Sequence, residues 1–399
     1  MDKMHDAALV RPADHFLPSG LVMPDSAAWN PLQSGVANER EPVAAVRGVE
    51  SHDDTNPFMH RHARKANAGQ QTSRARQTDI ARPERHVASA SPMADSVAFT
   101  ALAWQIRSWL MLSVTQPGEP MSAASIAPLW VALEAHTHRL EDEGLDNLTS
   151  AEVVSRFTDI HAPRPTALRD RGHGGLAYLH ANRLDMGCRH AFIAAQKPVA
   201  CNDPGSAAGF WGAMQEHGVA LIIDLTNDND NAHEAHYGPT PHARSLTLEP
   251  VSVRLARQEH FDHGSVEALH IATSGVSGMH VVRRLKFDAW QDHGVISPTR
   301  LGMLAYRAET LCEPDATIAI HCRAGVGRTG TLTCFMAADD LISRTLHASP
   351  RLRVDTLVRI TIECVLQGRR DRGPCFVQTS EQLRLVVNAL LMRYAASLE

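Results

Sequence analysis

The sequence lacks any long hydrophobic run. Its longest candidate, Val97 to Val114, is broken by Gln105, Arg107 and Ser108, so nothing reaches the roughly 20 apolar residues that a membrane-spanning helix needs. Met1-Asp2-Lys3-Met4-His5-Asp6 has no apolar core of the kind a cleaved signal peptide carries, and Asp2 stands where myristoylation requires glycine. No cysteine precedes Cys188, the total is an odd seven, and no Cys-x-x-Cys pair occurs. These absences argue against a disulfide framework or a zinc site and for reduced thiols in a cytosol-like compartment. His136, His138 and His242 have no partners at ligand spacing and read as surface residues, so neither a metal nor a cofactor is expected. Lys3, Lys65, Lys197 and Lys286 are the only lysines, which reads as the codon bias of a GC-rich genome more readily than as evasion of ubiquitination. The net charge of -5 lacks the basic excess of a nucleic-acid binder. The 399 residues, 44% of them hydrophobic, suffice for one large core with additional segments.

What the chain does have is one concentrated stretch, Ile318-Ala319-Ile320-His321-Cys322-Arg323-Ala324-Gly325-Val326-Gly327-Arg328-Thr329-Gly330-Thr331. It reads as an apolar strand, a tight loop and a helix start. Gly325 and Gly327 allow the backbone to turn with its N–H groups inward. The helix that follows aims the positive end of its dipole at the same point. Arg328 adds a planar fork able to grip two phosphate oxygens. Such surroundings stabilise a thiolate, so the loop offers both a nucleophile, Cys322, and a cradle for an oxyanion.

Residues 1–93 read as disordered, with short apolar runs and Pro, Ser, Gln, Asn and Ala spread without period. Residues 94–148 read as a helical segment, with one helix through Val97, Trp104, Trp109 and Leu112 and a second from Ser125 to Leu140. Thr149-Ser150-Ala151-Glu152 has the form of a capping box and predicts a short helix. A compact domain over 149–396 follows. Its strands are expected at Tyr178–Asn182, Ala191–Gln196, Val219–Leu225, Val251–Leu255, Glu267–Thr273, His280–Phe287 and Ile318–His321. Helices are expected at Phe210–Gln215, Ser297–Glu309, Thr329–Ile342, Val354–Leu366 and Ser380–Ala395. The fold class is α/β (α+β), a mixed twisted sheet flanked by helices.

His321-Cys322 through Arg328-Thr329 resembles the signature of the cysteine-dependent protein tyrosine phosphatases, and the wording His-Cys-Arg-Ala-Gly-Val-Gly-Arg-Thr is especially similar to those that pathogenic bacteria inject into host cells. The resemblance spans about residues 150–396. It implies that Cys322 attacks phosphorus and that Arg323, Ala324, Gly325, Val326 and Gly327 hold phosphate oxygens together with Arg328. Trp290-Gln291-Asp292-His293-Gly294 resembles the family's mobile acid loop, with Asp292 as proton donor and Gln291 where proline is usual. Phe376-Val377-Gln378-Thr379-Ser380-Glu381-Gln382 resembles its glutamine loop, with Gln378 positioning water and Gln382 contacting phosphate. Thr329 would steady the departing thiolate. Asp228 or Asp230 would pair with an arginine of the active loop. Arg164 to Asp170 resembles the phosphotyrosine-recognition loop, with Arg169 and Asp170 engaging substrate and Leu168 at the place of a stacking tyrosine.

The function so implied is hydrolysis of phosphotyrosine in host proteins by a secreted, type III-like effector acting in the host cytoplasm. A secretion chaperone would bind the N-terminal region, and the enzyme would be a monomer. An inositol-phosphate or phosphoinositide phosphatase on the same fold is the first rival. A non-catalytic phosphotyrosine-binding protein is the second, and Cys322, Arg328 and Asp292 together argue against it.

Overall fold

The computed structural model describes residues 120–142, 144–170, 177–199, 204–227, 230 and 236–399. The expected disorder of 1–93 and the helix through Trp104 and Trp109 lie outside the described residues. Helix α1 (Ala123–Asp142) is followed by β1 (Ala167–Arg169), β2 (Tyr178–Leu184), β3 (Ala191–Gln196), α2 (Pro204–Glu216) and β4 (Val219–Asp224). Next come β5 (Ser245–Leu248), β6 (Val251–Phe261), β7 (Gly264–Thr273), β8 (His280–Phe287), α3 (Pro298–Thr310) and β9 (Thr317–Cys322). The chain closes with α4 (Gly327–Ala348), α5 (Val354–Arg372) and α6 (Ser380–Arg393).

The described strands form one nine-stranded sheet in the order β1-β2-β3-β9-β4-β8-β7-β6-β5. Its centre, β3-β9-β4-β8, is parallel and its flanks are antiparallel. β9 therefore lies in the middle, covered on both faces, which is why it reads as a continuous apolar run. Ile318, Ile320 and Cys322 face the larger core with α4, whereas Ala319 joins the opposite core beside Trp211 and Met214 of α2. Strand alternation thus aims Cys322 and His321 at different sides of the sheet. α4 is buried from Gly327 to Ala338, and its threonines survive burial by back-bonding: Thr331 Oγ1 donates to Gly327 O and Thr333 Oγ1 to Thr329 O, each at 2.8 Å.

One expectation is corrected and two features are added. Only half of the capping box forms: Thr149 N and Oγ1 both donate to Glu152 Oε2, Glu152 N donates to Thr149 O and not to the hydroxyl, and no helix follows. Glu152 is instead held by the Arg164 guanidinium, and the Arg156 amide donates to Gln196 Oε1, which draws the chain along the sheet. The short strands β1 and β5 were not anticipated, since three or four residues carry too little periodicity. The second N-terminal helix forms as α1 and packs on the main core. Leu129 and Leu133 of α1 are buried in the main core, and Asn388 of α6 clamps Met121, two residues before the helix, donating to its O and accepting from its N.

Candidate active site

Cys322 ends the central strand and is 2% exposed. The chain then turns through Arg323 to Val326 before α4 begins. Gly325 has φ +75°, and a Cβ there would lie 2.2 Å from Ala195 O, so conformation and space both demand glycine. The Gly325 amide donates to Cys322 Sγ at 3.3 Å. The carbonyl of the same peptide unit, Ala324 O, accepts from Arg372 Nη2 at 3.1 Å. A planar trans peptide points its N–H and C=O in opposite directions, so Arg372 beneath the loop fixes the inward aim of the amide above it. Arg372 Nε also holds Gly325 O at 3.2 Å, which turns the Val326 amide inward by the same rule.

The remaining Arg372 bonds are to neutral acceptors, Asn182 Oδ1 at 3.0 Å and His180 Nδ1 at 2.8 Å. Burial pushes Arg372 down to about 10, and its nearness to Cys322 works against that shift. His180 is pushed down to about 3 by burial and by Arg372. It is therefore neutral, accepts from Arg372 on Nδ1 and donates from Nε2 to Ile160 O at 3.0 Å.

Arg328 is 1% exposed. Its Nη1 donates to Asp230 Oδ2 at 2.6 Å, Leu225 O at 2.9 Å and Trp290 O at 2.9 Å, and its Nη2 donates to Asp292 Oδ1 at 2.8 Å. Burial opposes its charge, and Cys322, Asp230 and Asp292 outweigh burial, so Arg328 is raised above the ordinary arginine value. Of the two aspartates open in the sequence, Asp230 is thus an arginine partner; Asp228 lies outside the described residues. Arg328 Nε, Thr329 Oγ1 and Gln382 Nε2 are buried without a hydrogen-bond partner. A Cβ on Gly327 would meet Gln378 Oε1 at 2.8 Å and Gln382 Nε2 at 3.1 Å, so the glutamine loop lies directly on the loop's last residues. These are donors placed for oxyanions.

The acid loop is anchored by Trp290, which is fully buried and donates from Nε1 to Gly294 O at 3.0 Å. Asp292 is 36% exposed at the side-chain level, and His293 Nε2 lies 4.0 Å from its Oδ2. On the opposite side of the sheet, Tyr237 Oη lies 2.7 Å from His321 Nε2 and 3.3 Å from Asp224 Oδ2. Burial pushes His321 down to about 4, against the pull of Asp224, so the residue before the nucleophile is neutral.

The structure brings Cys322, Arg328, Asp292, Gln378, Gln382 and Thr329 into one cluster with the backbone of 323–327. It departs from the sequence reading at the recognition loop. Leu168 is buried against the core with Leu179, because the alternation of β1 turns it inward. Arg169 lies over the Tyr178 ring at 5.5 Å, and the Asp170 carboxylate lies against Gly209 of α2. The aromatic side chain that borders the loop is Phe157, whose ring lies 5.6 Å from the Arg323 guanidinium carbon. It is held there because Arg156 Nε donates to Lys197 O at 2.8 Å, while Lys197 N donates to Cys322 O at 2.9 Å. Arg156-Phe157-Thr158-Asp159, an aromatic between charges just after the capping box, was the available signal. Among the described residues no group of three or more His, Cys, Asp or Glu could hold a metal ion.

The sequence model of the protein-tyrosine phosphatase family matches residues 155–392. The chain is 30% identical over 223 residues to the tyrosine-protein phosphatase Lar-like of Caenorhabditis elegans, a match covering 55% of this chain and 9% of that protein. It is 30% identical over 252 residues to receptor-type tyrosine-protein phosphatase S of Gallus gallus, covering 61% of this chain and 16% of that one. It thus spans a small part of the length of these relatives. The solved structure of PTPN18 in complex with HER2-pY1196 phospho-peptides has the same fold, with TM-score 0.56, 19% identity, and coverage of 73% of this chain and 99% of that chain.

Proposed function

The chain belongs to the protein tyrosine phosphatase family, and from that premise we propose that it hydrolyses phosphotyrosine in proteins through a cysteinyl-phosphate intermediate. The observation that carries this reading is the Gly325 amide aimed at Cys322 Sγ within a loop closed by the buried Arg328 fork, whose Nη2 meets Asp292. In the first step the thiolate lone pair forms an S–P bond as the P–O bond to the tyrosine breaks. Asp292 supplies the proton that the departing phenolate takes up. In the second step water attacks phosphorus, Asp292 takes its proton, Gln378 directs it, and the S–P pair returns to Cys322 with Thr329 beside it. Arg328 and the loop amides hold the equatorial oxygens in both steps. Phe157 provides an aromatic wall for the substrate ring.

The loop wording His321 to Thr329 and the polar composition of residues 1–93 support an injected bacterial effector acting in the host cytoplasm. Its leader would carry export information and a chaperone-binding segment, and the enzyme would work as a monomer. A reporter fused to residues 1–93 and followed into host cells tests the first point, and light scattering tests the last.

The deciding assay compares phosphotyrosine peptides with inositol phosphates, using wild type and Cys322→Ser. Peptide hydrolysis by wild type, with retained phosphopeptide binding but no turnover in Cys322→Ser, is expected. Preference for inositol phosphates would overturn the substrate class, and turnover by Cys322→Ser would overturn the mechanism.

A further inference from the structure

The proposed chemistry uses Gln378 but leaves unexplained how its loop is held. Val377, immediately before it, has φ +59°, a conformation that a β-branched residue adopts only under constraint. The constraint comes from three sides. Val377 N donates to Val326 O at 3.3 Å, on the active loop itself. Gly330 of α4 and Gly368 of α5 admit the loop so closely that a Cβ would meet Val377 N at 2.6 Å and Phe376 Cδ1 at 2.1 Å. The third side is Arg369 of α5, 2% exposed, whose Nε donates to Phe376 O at 3.1 Å and whose Nη2 donates to Val377 O at 3.2 Å.

Arg369 is itself held by helix α1. Its Nη1 donates to Thr137 Oγ1 at 2.5 Å, its Nη2 lies 2.8 Å from Glu134 Oε1, and its guanidinium lies 5.1 Å from the centre of the Trp130 ring. Thr137 is held in turn by donating to Leu133 O at 2.9 Å. Three residues on one face of α1, at positions i, i+4 and i+7, therefore converge on one buried cation. A planar fork fixed on one edge presents its other edge in one orientation.

We propose that Glu134, Thr137 and Trp130 of α1 are positioning residues for the second step of catalysis, acting through Arg369 on the carbonyls of Phe376 and Val377 and so on the aim of Gln378. Without the α1 contacts the fork is free to rotate, the strained Val377 relaxes, and water is no longer directed at phosphorus. Formation of the S–P bond depends on Cys322, Arg328 and Asp292, which α1 does not touch through this route. The proposal rests on the phosphocysteine reading above.

The test uses full-length wild type, Glu134→Gln, Thr137→Val and Thr137→Ser, each checked for cooperative thermal unfolding, with radiolabelled p-nitrophenyl phosphate. Rapid acid quenching at saturating substrate gives the fraction of enzyme carrying phosphate. Dividing kcat by that fraction gives the hydrolysis rate constant, and kcat/KM reports the first step. We expect the hydrolysis constant to fall several-fold in Glu134→Gln and Thr137→Val while kcat/KM stays near wild type, and Thr137→Ser, which keeps the hydroxyl, to match wild type. An unchanged hydrolysis constant in the folded variants, or an equal fall in kcat/KM, overturns the proposal. Turnover by Cys322→Ser would overturn the phosphocysteine reading, and this proposal with it.

Discussion

Arg328 Nη2 donates to Asp292 Oδ1 at 2.8 Å, so the fork proposed to bind phosphate and the carboxylate assigned as acid are ion-paired. Nη1 of the same fork is committed to Asp230, Leu225 O and Trp290 O. The edge formed by the unpartnered Nε and by Nη2 is therefore the one that two phosphate oxygens would claim, releasing Asp292 to take up and deliver a proton. Asp292→Asn should slow hydrolysis of esters with poor leaving groups by roughly two to four orders of magnitude, the usual worth of a general acid. An activated aryl phosphate should suffer much less. Rates across a series of aryl phosphates of graded leaving-group acidity check this. Equal loss throughout would mean that Asp292 supports the fork and does not supply the proton.

Gly325 and Gly275 share a left-handed backbone but not their surroundings. Gly325 has φ +75° and would place a Cβ 2.2 Å from Ala195 O; Gly275 has φ +82° and nothing within 4 Å of that position. Gly275→Ala should cost only the conformational strain, about 1–3 kcal/mol, and leave activity intact. Gly325→Ala must also displace the peptide whose two ends are held by Cys322 and Arg372, so activity and binding of vanadate should be lost together. Thermal unfolding alongside vanadate titration separates the two effects.

Much of this site was legible because its signals are local. A continuous apolar run, two glycines and a helix start announce β9, its loop and α4 within one stretch. The rest was hidden because it depends on which face of an element is buried. Arg369-Arg370-Asp371-Arg372 lies beyond the helix expected over Val354–Leu366 and was given no role, yet Arg369 and Arg372, spaced i and i+3, are both buried and brace the glutamine loop and the active loop. Asn227-Asp228-Asn229-Asp230 offers two equivalent carboxylates, and it takes the tertiary path of Arg328 to show that Asp230 is a partner. Phe157 was missed because its role comes from Arg156 and Lys197 tying a distant segment to the loop. The capping box at Thr149 predicted a helix that tertiary bonds to Glu152 and Arg156 replaced by a turn.

Phe157 is half-buried beside Arg323, within reach of a substrate ring on the proposed mechanism. Offset or edge-on aromatic contacts are worth about 0.5–1.5 kcal/mol beyond area burial, so Phe157→Leu should raise KM for aryl phosphates roughly two- to tenfold. Inhibition by inorganic phosphate, which has no ring, should be little changed. Parallel weakening of both would show that Phe157 supports the loop by way of Arg323 instead of contacting the substrate ring.

His180 makes acid stability a test of the brace beneath the active loop. Burial first, and then the Arg372 charge, push it down to about 3 in the folded protein, against an unfolded value of about 6.5. Between those limits the unfolded chain binds a proton that the folded chain does not, so stability is full above the unfolded value and declines as pH falls toward the folded one. The slope is roughly 1.4 kcal/mol per pH unit once well below about 6.5. His321, pushed down to about 4 by burial, adds in the same direction. His190 acts oppositely. Burial lowers it, but Glu309, 3.0 Å from its Nε2, outweighs burial and raises it, so its contribution is full below the unfolded value and lost as pH rises through the folded one. Urea denaturation at pH 7.5 and pH 5 should therefore show a marked fall for wild type. His180→Asn should be less stable at pH 7.5, having lost its place between Arg372 and Ile160, yet should fall less between the two pH values. An identical fall in both proteins would mean that His180 takes up its proton as readily in the folded chain as in the unfolded one.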